Sequence, residues 1–140
     1  MGGDGIKFDE LSLFADRALQ AMGLENHAAA AFKPADATEA SLGTVRDWLA
    51  LNEASAEDAL LVYFNQGVVT GDWDGPHVSL IGAYDAAQDA VLILEVDQEW
   101  YVPYWTPVPV LLEAMLKPTS DEHGVLAGET GGFVRLALAN

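Results

Sequence analysis

The residues best suited to acid–base chemistry lie on a predicted β-hairpin. Two runs of strand-forming residues, 77–84 and 90–96, are separated by a short polar turn, which is typical of two antiparallel strands. His77 begins the first run, and Glu95 and Asp97 lie at the end of the second. Since residues that alternate along a strand share a face, both carboxylates are predicted on one face of the second strand.

The position of the turn decides which carboxylate meets the histidine. A turn centred near Ala87 places His77 opposite Asp97 and diagonal to Glu95, whereas a turn centred at Ala86 places His77 opposite Glu95. In either register an imidazole and a carboxylate come within reach of each other. Such a pair is the base and its orienting group in a nucleophilic triad, although histidine–carboxylate pairs at strand ends are also common as structural contacts.

Strand alternation also assigns faces within the first run of the hairpin. Four residues are predicted to share one face, namely His77, Ser79, Ile81 and Ala83. The opposite face is predicted to carry Val78, Leu80 and Tyr84.

Two further groups could bind ligands. Asp72, Asp74 and Asp89 carry hard oxygen ligands suited to calcium or magnesium, but the Asp-Trp-Asp-Gly sequence lacks the spacing and closing Glu of an EF-hand loop. A solvated turn is therefore the favoured interpretation. His27 and His123 have no partners at metal-ligand spacing, and we assign no metal site.

Four aromatic residues follow the hairpin closely. A dense cluster of this kind either lines a ligand groove or packs as core under the next helix, and the sequence leaves both interpretations open. The four residues are Trp100, Tyr101, Tyr104 and Trp105.

The elements that must position these residues are helices and strands in mixed order. Helical spacing of apolar residues predicts a first helix whose stripe includes Leu11, Phe14 and Ala15, and proline at a first helical position predicts Thr106 as a cap with Pro107 opening the last helix. Three helices are predicted over residues 9–22, 38–51 and 107–116. Strands are predicted over residues 27–32, 60–64, 77–84, 90–96 and 133–138. The pattern predicts a single α+β domain, residues 1–140, with an antiparallel sheet.

Composition excludes several classes of function. The chain has 140 residues, no cysteine and a formal net charge of −16 at pH 7. An acidic chain lacks the basic face that nucleic-acid binding needs, and no apolar run approaches the length of a membrane span. No apolar signal region precedes the first helix, so we expect a cytoplasmic protein.

Several ordered blocks resemble the phytochelatin synthase family. Residues 75–84 (Gly-Pro-His-Val-Ser-Leu-Ile-Gly-Ala-Tyr) are similar to the family's Gly-His-Phe-Ser-Pro-Ile-Gly-Gly-Tyr, and residues 89–96 (Asp-Ala-Val-Leu-Ile-Leu-Glu-Val) are similar to Asp-Met-Val-Leu-Ile-Leu-Asp-Val. Tyr-Val-Pro-Tyr-Trp at 101–105 and Val-Leu-Leu-Glu-Ala-Met at 110–115 resemble Tyr-Pro-Pro-His-Trp and Leu-Leu-Trp-Glu-Ala-Met. The clear resemblance covers residues 60–115.

The resemblance implies a papain-like cysteine-protease lobe and a Cys-His-Asp transpeptidase or hydrolase acting on glutathione. The family's histidine falls on His77 and its aspartate on Glu95, with Asp97 as an alternative. Substrate contacts are implied at Ser79, Gln98 and Tyr101. Gln98 stands where the family has an arginine, which implies an altered acceptor site.

The resemblance places the family's cysteine and oxyanion-hole glutamine upstream of these blocks, and this chain has no cysteine. We therefore expect either the C-terminal half of a catalytic domain or a degenerate, non-catalytic member. The implied ligand is glutathione or a γ-glutamyl peptide. No covalent cofactor is implied, and a heavy metal such as Cd or Zn would enter as a thiolate complex of the substrate. An exposed half-domain surface favours a homodimer or a cysteine-bearing partner segment.

Overall fold

Six antiparallel strands form one sheet in the computed structural model, which describes residues 7–21, 28–55, 58–71, 75–94, 103–120 and 126–137. The strands are β1 (Ala28–Phe32), β2 (Asp58–Asn65), β3 (Pro76–Asp85), β4 (Ala90–Leu94), β5 (Tyr104–Pro107) and β6 (Gly132–Ala137). Four helices are described, namely α1 (Phe8–Ala21), α2 (Glu39–Ala54), α3 (Gln66–Thr70) and α4 (Val108–Leu116). The predicted α+β class is confirmed, and the fold is consistent with a papain-like lobe.

The strand order is β1-β6-β2-β3-β4-β5, so β3, which carries His77, lies inside the sheet. β2 pairs with β3 on one side, and the pairing matches Phe64 with His77. β4 pairs with β3 on the other side as the predicted hairpin partner. The described ladder holds His77 from the β2 side, and the described pairing with β4 begins at Leu80.

Each face of the sheet packs against different helices. α2 and α4 cover one face, where the larger core is built from buried aliphatic and aromatic residues that include Val45, Leu49, Phe64, Ile93 and Leu111. α1 covers the other face through Phe8, Leu11 and Ala15, which pack with Tyr63 and Val134. This second face is covered only in part, since Leu80 on the interior strand β3 is 37% exposed.

α2 begins where the sequence predicts. Thr38 is the N-cap, and its side chain accepts a hydrogen bond from the Ser41 N–H at 3.3 Å. The helix runs through Ala54, three residues beyond the predicted end at residue 51.

α1 presents a different stripe from the predicted one. Phe8, Leu11 and Ala15 are buried, but Phe14 is 69% exposed. The prediction that Phe14 belongs to the buried stripe is wrong. At about 100° of rotation per residue, Phe14 lies to one side of the arc that the three buried residues share on the helix. With Leu13, it leaves an apolar patch on the outer surface of α1.

A β-bulge changes the faces of the hairpin. The pairing of β3 with β4 shifts between Ile81 and Ala83, around Gly82. As a result Tyr84, and not Ala83, packs with Ile81 on the larger core. The alternation that placed Ala83 on the His77 face is therefore wrong beyond the bulge, because a bulge inserts one unpaired residue and reverses the alternation.

Two short elements escape the sequence analysis. β5 pairs with β4 within the aromatic segment after the hairpin, and α3 directly follows β2, and the sequence predicts no strand at the first place and no helix at the second. Thr106 lies in β5 and does not cap the last helix. Pro107 is the N-cap of α4, one position before its predicted place. Within the described residues, no helix is long and apolar enough to cross a bilayer.

Candidate active site

His77 lies at the second position of β3 and is half-buried. Its ring meets the ring of Phe64 edge to face, with centroids 5.6 Å apart and planes at 88°. Phe64 is buried in the core and pairs with His77 across β2 and β3, so the contact fixes the plane of the imidazole. A half-buried, oriented imidazole is what a general base requires.

The register of the hairpin is relevant to which carboxylate, Glu95 or Asp97, is predicted to lie opposite His77. Leu80 pairs with Leu94 and Ile81 with Ile93, which is the register of a turn centred on Ala87. Glu95 and Asp97 themselves lie outside the described residues. The choice between them as partner of His77 therefore stays a prediction.

The implied substrate-binding residues are placed only in part. Ser79 is completely buried in β3, two residues after His77 and opposite Val62. Gln98 and Tyr101 lie outside the described residues. All three remain predictions as substrate contacts.

The two residues of the aromatic cluster that the structure describes lie in different surroundings. Tyr104 packs against the larger core, whereas Trp105 is 54% exposed. Trp105 lines a surface depression with Asp85, Gln88 and Ala90 near the hairpin turn. The depression is about 25 Å along β3 from His77, at about 3.3 Å per residue, so it is separate from His77.

Asp89 has a structural role that the sequence did not reveal. The Arg46 guanidinium donates to both of its carboxylate oxygens, at 3.1 and 2.7 Å, and the Tyr84 hydroxyl donates at 3.3 Å. The backbone of Asp89 has a positive φ of 51°, and its carbonyl accepts from the Val108 N–H. Asp89 thus ties the hairpin turn to α2 and to the start of α4.

This network leaves Asp89 poorly suited to the metal role considered from the sequence, because both of its oxygens are engaged by Arg46. Asp72 and Asp74 lie outside the described residues. Among the residues that the structure describes, no group of three His, Cys, Asp or Glu side chains could hold a metal ion.

The Arg46–Asp89 pair predicts an acid-sensitive contribution to stability. The hydrogen bond from Arg46 lowers the pKa of Asp89 below its ordinary value, and burial raises the pKa of the Tyr84 hydroxyl. Because the folded-state pKa of Asp89 is lowered, its carboxylate stabilises the fold above the unfolded-state pKa. That stabilisation is lost as the pH falls through the folded-state pKa.

We therefore expect Asp89→Asn to lower the melting temperature at neutral pH, and the difference from wild type to vanish in acid. Melting temperatures measured from about pH 7 to about pH 2 check this. Asp47→Asn, an exposed change on α2, serves as the matched control and should have no effect. A deficit in Asp89→Asn that is constant across the pH range would contradict the assignment.

Sequence reasoning missed a buried glutamine near the histidine. Gln66 directly follows β2, is only 3% exposed, and its backbone N–H donates to the Gly75 carbonyl at 3.0 Å. Its side-chain Nε2 has no hydrogen-bond partner among the described residues. A lone Gln beside a glycine gives no sequence signal, since only the β2–β3 pairing brings it close to His77.

Comparison with known proteins identifies the family. The family model of phytochelatin synthase matches residues 2–125. This chain belongs to the phytochelatin synthase family. The resemblance drawn from the hairpin and the segments after it is therefore confirmed at the level of the family.

Three plant relatives agree with this assignment. Glutathione gamma-glutamylcysteinyltransferase 1 of Arabidopsis thaliana is 31% identical over 100 residues, which cover 71% of this chain and 19% of the relative. Glutathione gamma-glutamylcysteinyltransferase 3 of Lotus japonicus is 34% identical over 77 residues, which cover 55% of this chain and 16% of the relative. Glutathione gamma-glutamylcysteinyltransferase 1 of Triticum aestivum is 42% identical over 52 residues, which cover 37% of this chain and 10% of the relative. The matched part of the chain thus spans less than a fifth of the length of each relative.

Proposed function

We propose that this chain supplies the histidine of a cysteine-dependent active site that transfers or hydrolyses the γ-glutamylcysteinyl group of glutathione. The observation that carries the proposal is His77 on an interior strand, oriented by Phe64, in a chain of the phytochelatin synthase family. The names of the relatives support glutathione as the substrate.

In this proposal His77 acts first as a base and then as an acid. It takes the proton of a cysteine thiol that this chain does not contain, and the thiolate attacks the carbonyl between the cysteine and glycine of glutathione. Glycine leaves with the proton from His77, and a γ-glutamylcysteinyl thioester remains on the enzyme. Water or the amine of a second glutathione then attacks the thioester, with His77 again removing the proton. The C–S bond breaks, and the departing cysteine thiolate takes that proton from His77, which restores the thiol.

A carboxylate is proposed to hold the tautomer of His77. Either Asp97, as a turn centred on Ala87 favours, or Glu95, as the family resemblance favours, takes this role. A carboxylate that accepts from one ring nitrogen leaves the other nitrogen to accept the thiol proton.

The proposal includes a partner for this lobe. The cysteine must come from a cysteine-bearing segment or partner chain. Pairing with a copy of this chain, which has no cysteine, would cover exposed surface without completing the active site. The exposed Leu13 and Phe14 on α1 support a surface that contacts further protein. A heavy metal such as Cd or Zn enters as the thiolate complex of the substrate, and the cytoplasm is the proposed compartment.

The test supplies the missing nucleophile. Joined behind a cysteine-bearing segment of the family, residues 1–140 should release glycine from glutathione, and Cys→Ala in the added segment should abolish the release. In the same protein, Glu95→Gln and Asp97→Asn distinguish the orienting carboxylate, because only the true partner should lower kcat strongly. No glycine release from the joined protein would overturn the enzymatic proposal.

A second candidate follows from the absence of cysteine in all 140 residues. A degenerate member would keep the fold as a binding module for a thiol peptide or its metal complex, without turnover. Glutathione binding by calorimetry, together with no glycine release from any joined protein, would favour this candidate over the enzyme.

A further inference from the structure

Gln66 holds a buried amide donor that has no partner in the part of the chain that the structure describes. The residue is 3% exposed, and its Nε2 has no hydrogen-bond partner among the described residues. An amide NH₂ carries two donors, and burying it unpaired is unfavourable. Native proteins keep few such groups, and one near a predicted active site points to a ligand that pairs with it.

The position of Gln66 relates this donor to His77. Phe64 pairs with His77 across β2 and β3, and Gln66 follows Phe64 by two residues. The Gln66 backbone N–H donates to Gly75, which lies two residues before His77. Neighbouring strands lie about 5 Å apart and residues rise about 3.3 Å each, so the backbones of Gln66 and His77 are about 8 Å apart.

The neighbouring residues fix the backbone from which this side chain extends. The Asn65 side-chain oxygen accepts from the Gly67 N–H at 2.9 Å and caps α3. The Thr70 hydroxyl donates to the Gln66 carbonyl at 3.1 Å. The amide therefore extends from a fixed backbone, and a ligand that pairs with it would meet a preorganised donor.

We propose that the Gln66 amide donates a hydrogen bond to an oxygen of the γ-glutamyl peptide bound beside His77. This inference rests on the proposed function, because it takes its ligand from there. A neutral donor suits the peptide carbonyl and carboxylate oxygens of such a ligand. Gln66 is thus a substrate-binding residue contributed by the β2–α3 junction.

The test replaces the amide with an apolar side chain of similar size. Gln66→Met should raise the Kd for glutathione, measured by calorimetry on the 140-residue chain, about tenfold, since one hydrogen bond is lost. It should also leave the melting temperature unchanged or raise it by a few degrees, because the unpaired donor is gone. A merely structural glutamine would give the opposite result, a lower melting temperature with unchanged binding.

Thr106→Val is the matched control. Its Oγ1 is also buried and lacks a partner among the described residues, but Thr106 pairs with Val91 on β4, near the turn end of the hairpin. This variant should keep the wild-type Kd. Equal binding by wild type and Gln66→Met would overturn the role of Gln66 alone. No glutathione binding by wild type would overturn the proposed ligand, and with it this inference.

A measurement on the wild-type chain covers the case in which Gln66→Met does not fold. The chain has four glutamines, so selective ¹⁵N-glutamine labelling gives four side-chain NH₂ signals in an NMR spectrum. Adding glutathione should shift the Gln66 signal and leave those of the exposed Gln20 and Gln88 in place. A Gln66 signal that stays unchanged at saturating glutathione would overturn the proposal.

Discussion

His77→Ala is expected to lower glycine release by the joined, cysteine-bearing protein by about 10⁶-fold, because losing the base of a nucleophile–base pair costs nearly as much as losing the whole triad. The ring of His77 contacts Phe64 at the edge of the core, and backbone pairing with β2 holds β3 in place without the imidazole. The protein should therefore stay folded, and the loss should lie in kcat. The measurement is steady-state glycine release, with circular dichroism as the check on the fold.

Two further experiments separate the chemistry of His77 from its packing. Imidazole added to His77→Ala should restore part of the activity, since it can occupy the vacated space beside Phe64 and carry the proton. His123→Ala, which removes a histidine that the sequence assigns no partner, should keep the wild-type rate. Activity of His77→Ala within tenfold of wild type, or none regained with imidazole, would contradict the proposed role.

Local patterns were sufficient to predict most of the fold. The hairpin of β3 and β4 follows from alternation around a polar turn, and α2 follows from the helical spacing of its apolar residues, with a predicted start at residue 38. The bulge at Gly82 has no such local pattern. A Cβ on that residue would lie 2.8 Å from Leu94 Cγ, so a larger residue there would force the Leu94 side chain to move.

β5 and α3 were missed because tertiary contacts form them. β5 has only four residues and ends at Pro107, a poor strand former, so its three strand-forming residues are too few to give an alternating pattern in the sequence. α3 has five residues, too few for a periodic pattern. Individual side chains divide in the same way. His77 could be predicted from the hairpin pattern, whereas the Arg46–Asp89 pair joins positions 43 residues apart.

Gly131→Ala is expected to destabilise the chain more than any surface change, by at least about 3 kcal/mol. A Cβ on Gly131 would overlap the carbonyl of Tyr63, and one on Gly132 would overlap the carbonyl of Phe32. Both obstructions are backbone atoms of the strands that flank β6, so no side chain can rotate away. Urea unfolding of the purified variant measures the loss, and failure to fold is its extreme form.

Gly43→Ala is the matched control, because it makes the same chemical change where there is space. Gly43 lies inside α2 with nothing within 4 Å of a new Cβ, and alanine favours the helix over glycine by about 0.5–1 kcal/mol. This variant should be more stable than wild type. The Gly131 N–H also donates to the Met115 carbonyl at 2.7 Å, so an added methyl there also disturbs the docking of α4 on the core. Equal stability of the two variants would contradict the prediction, because it would show that β6 can shift to make space for the methyl group. The close approach of the strands around Gly131 would then not constrain the sheet that holds His77.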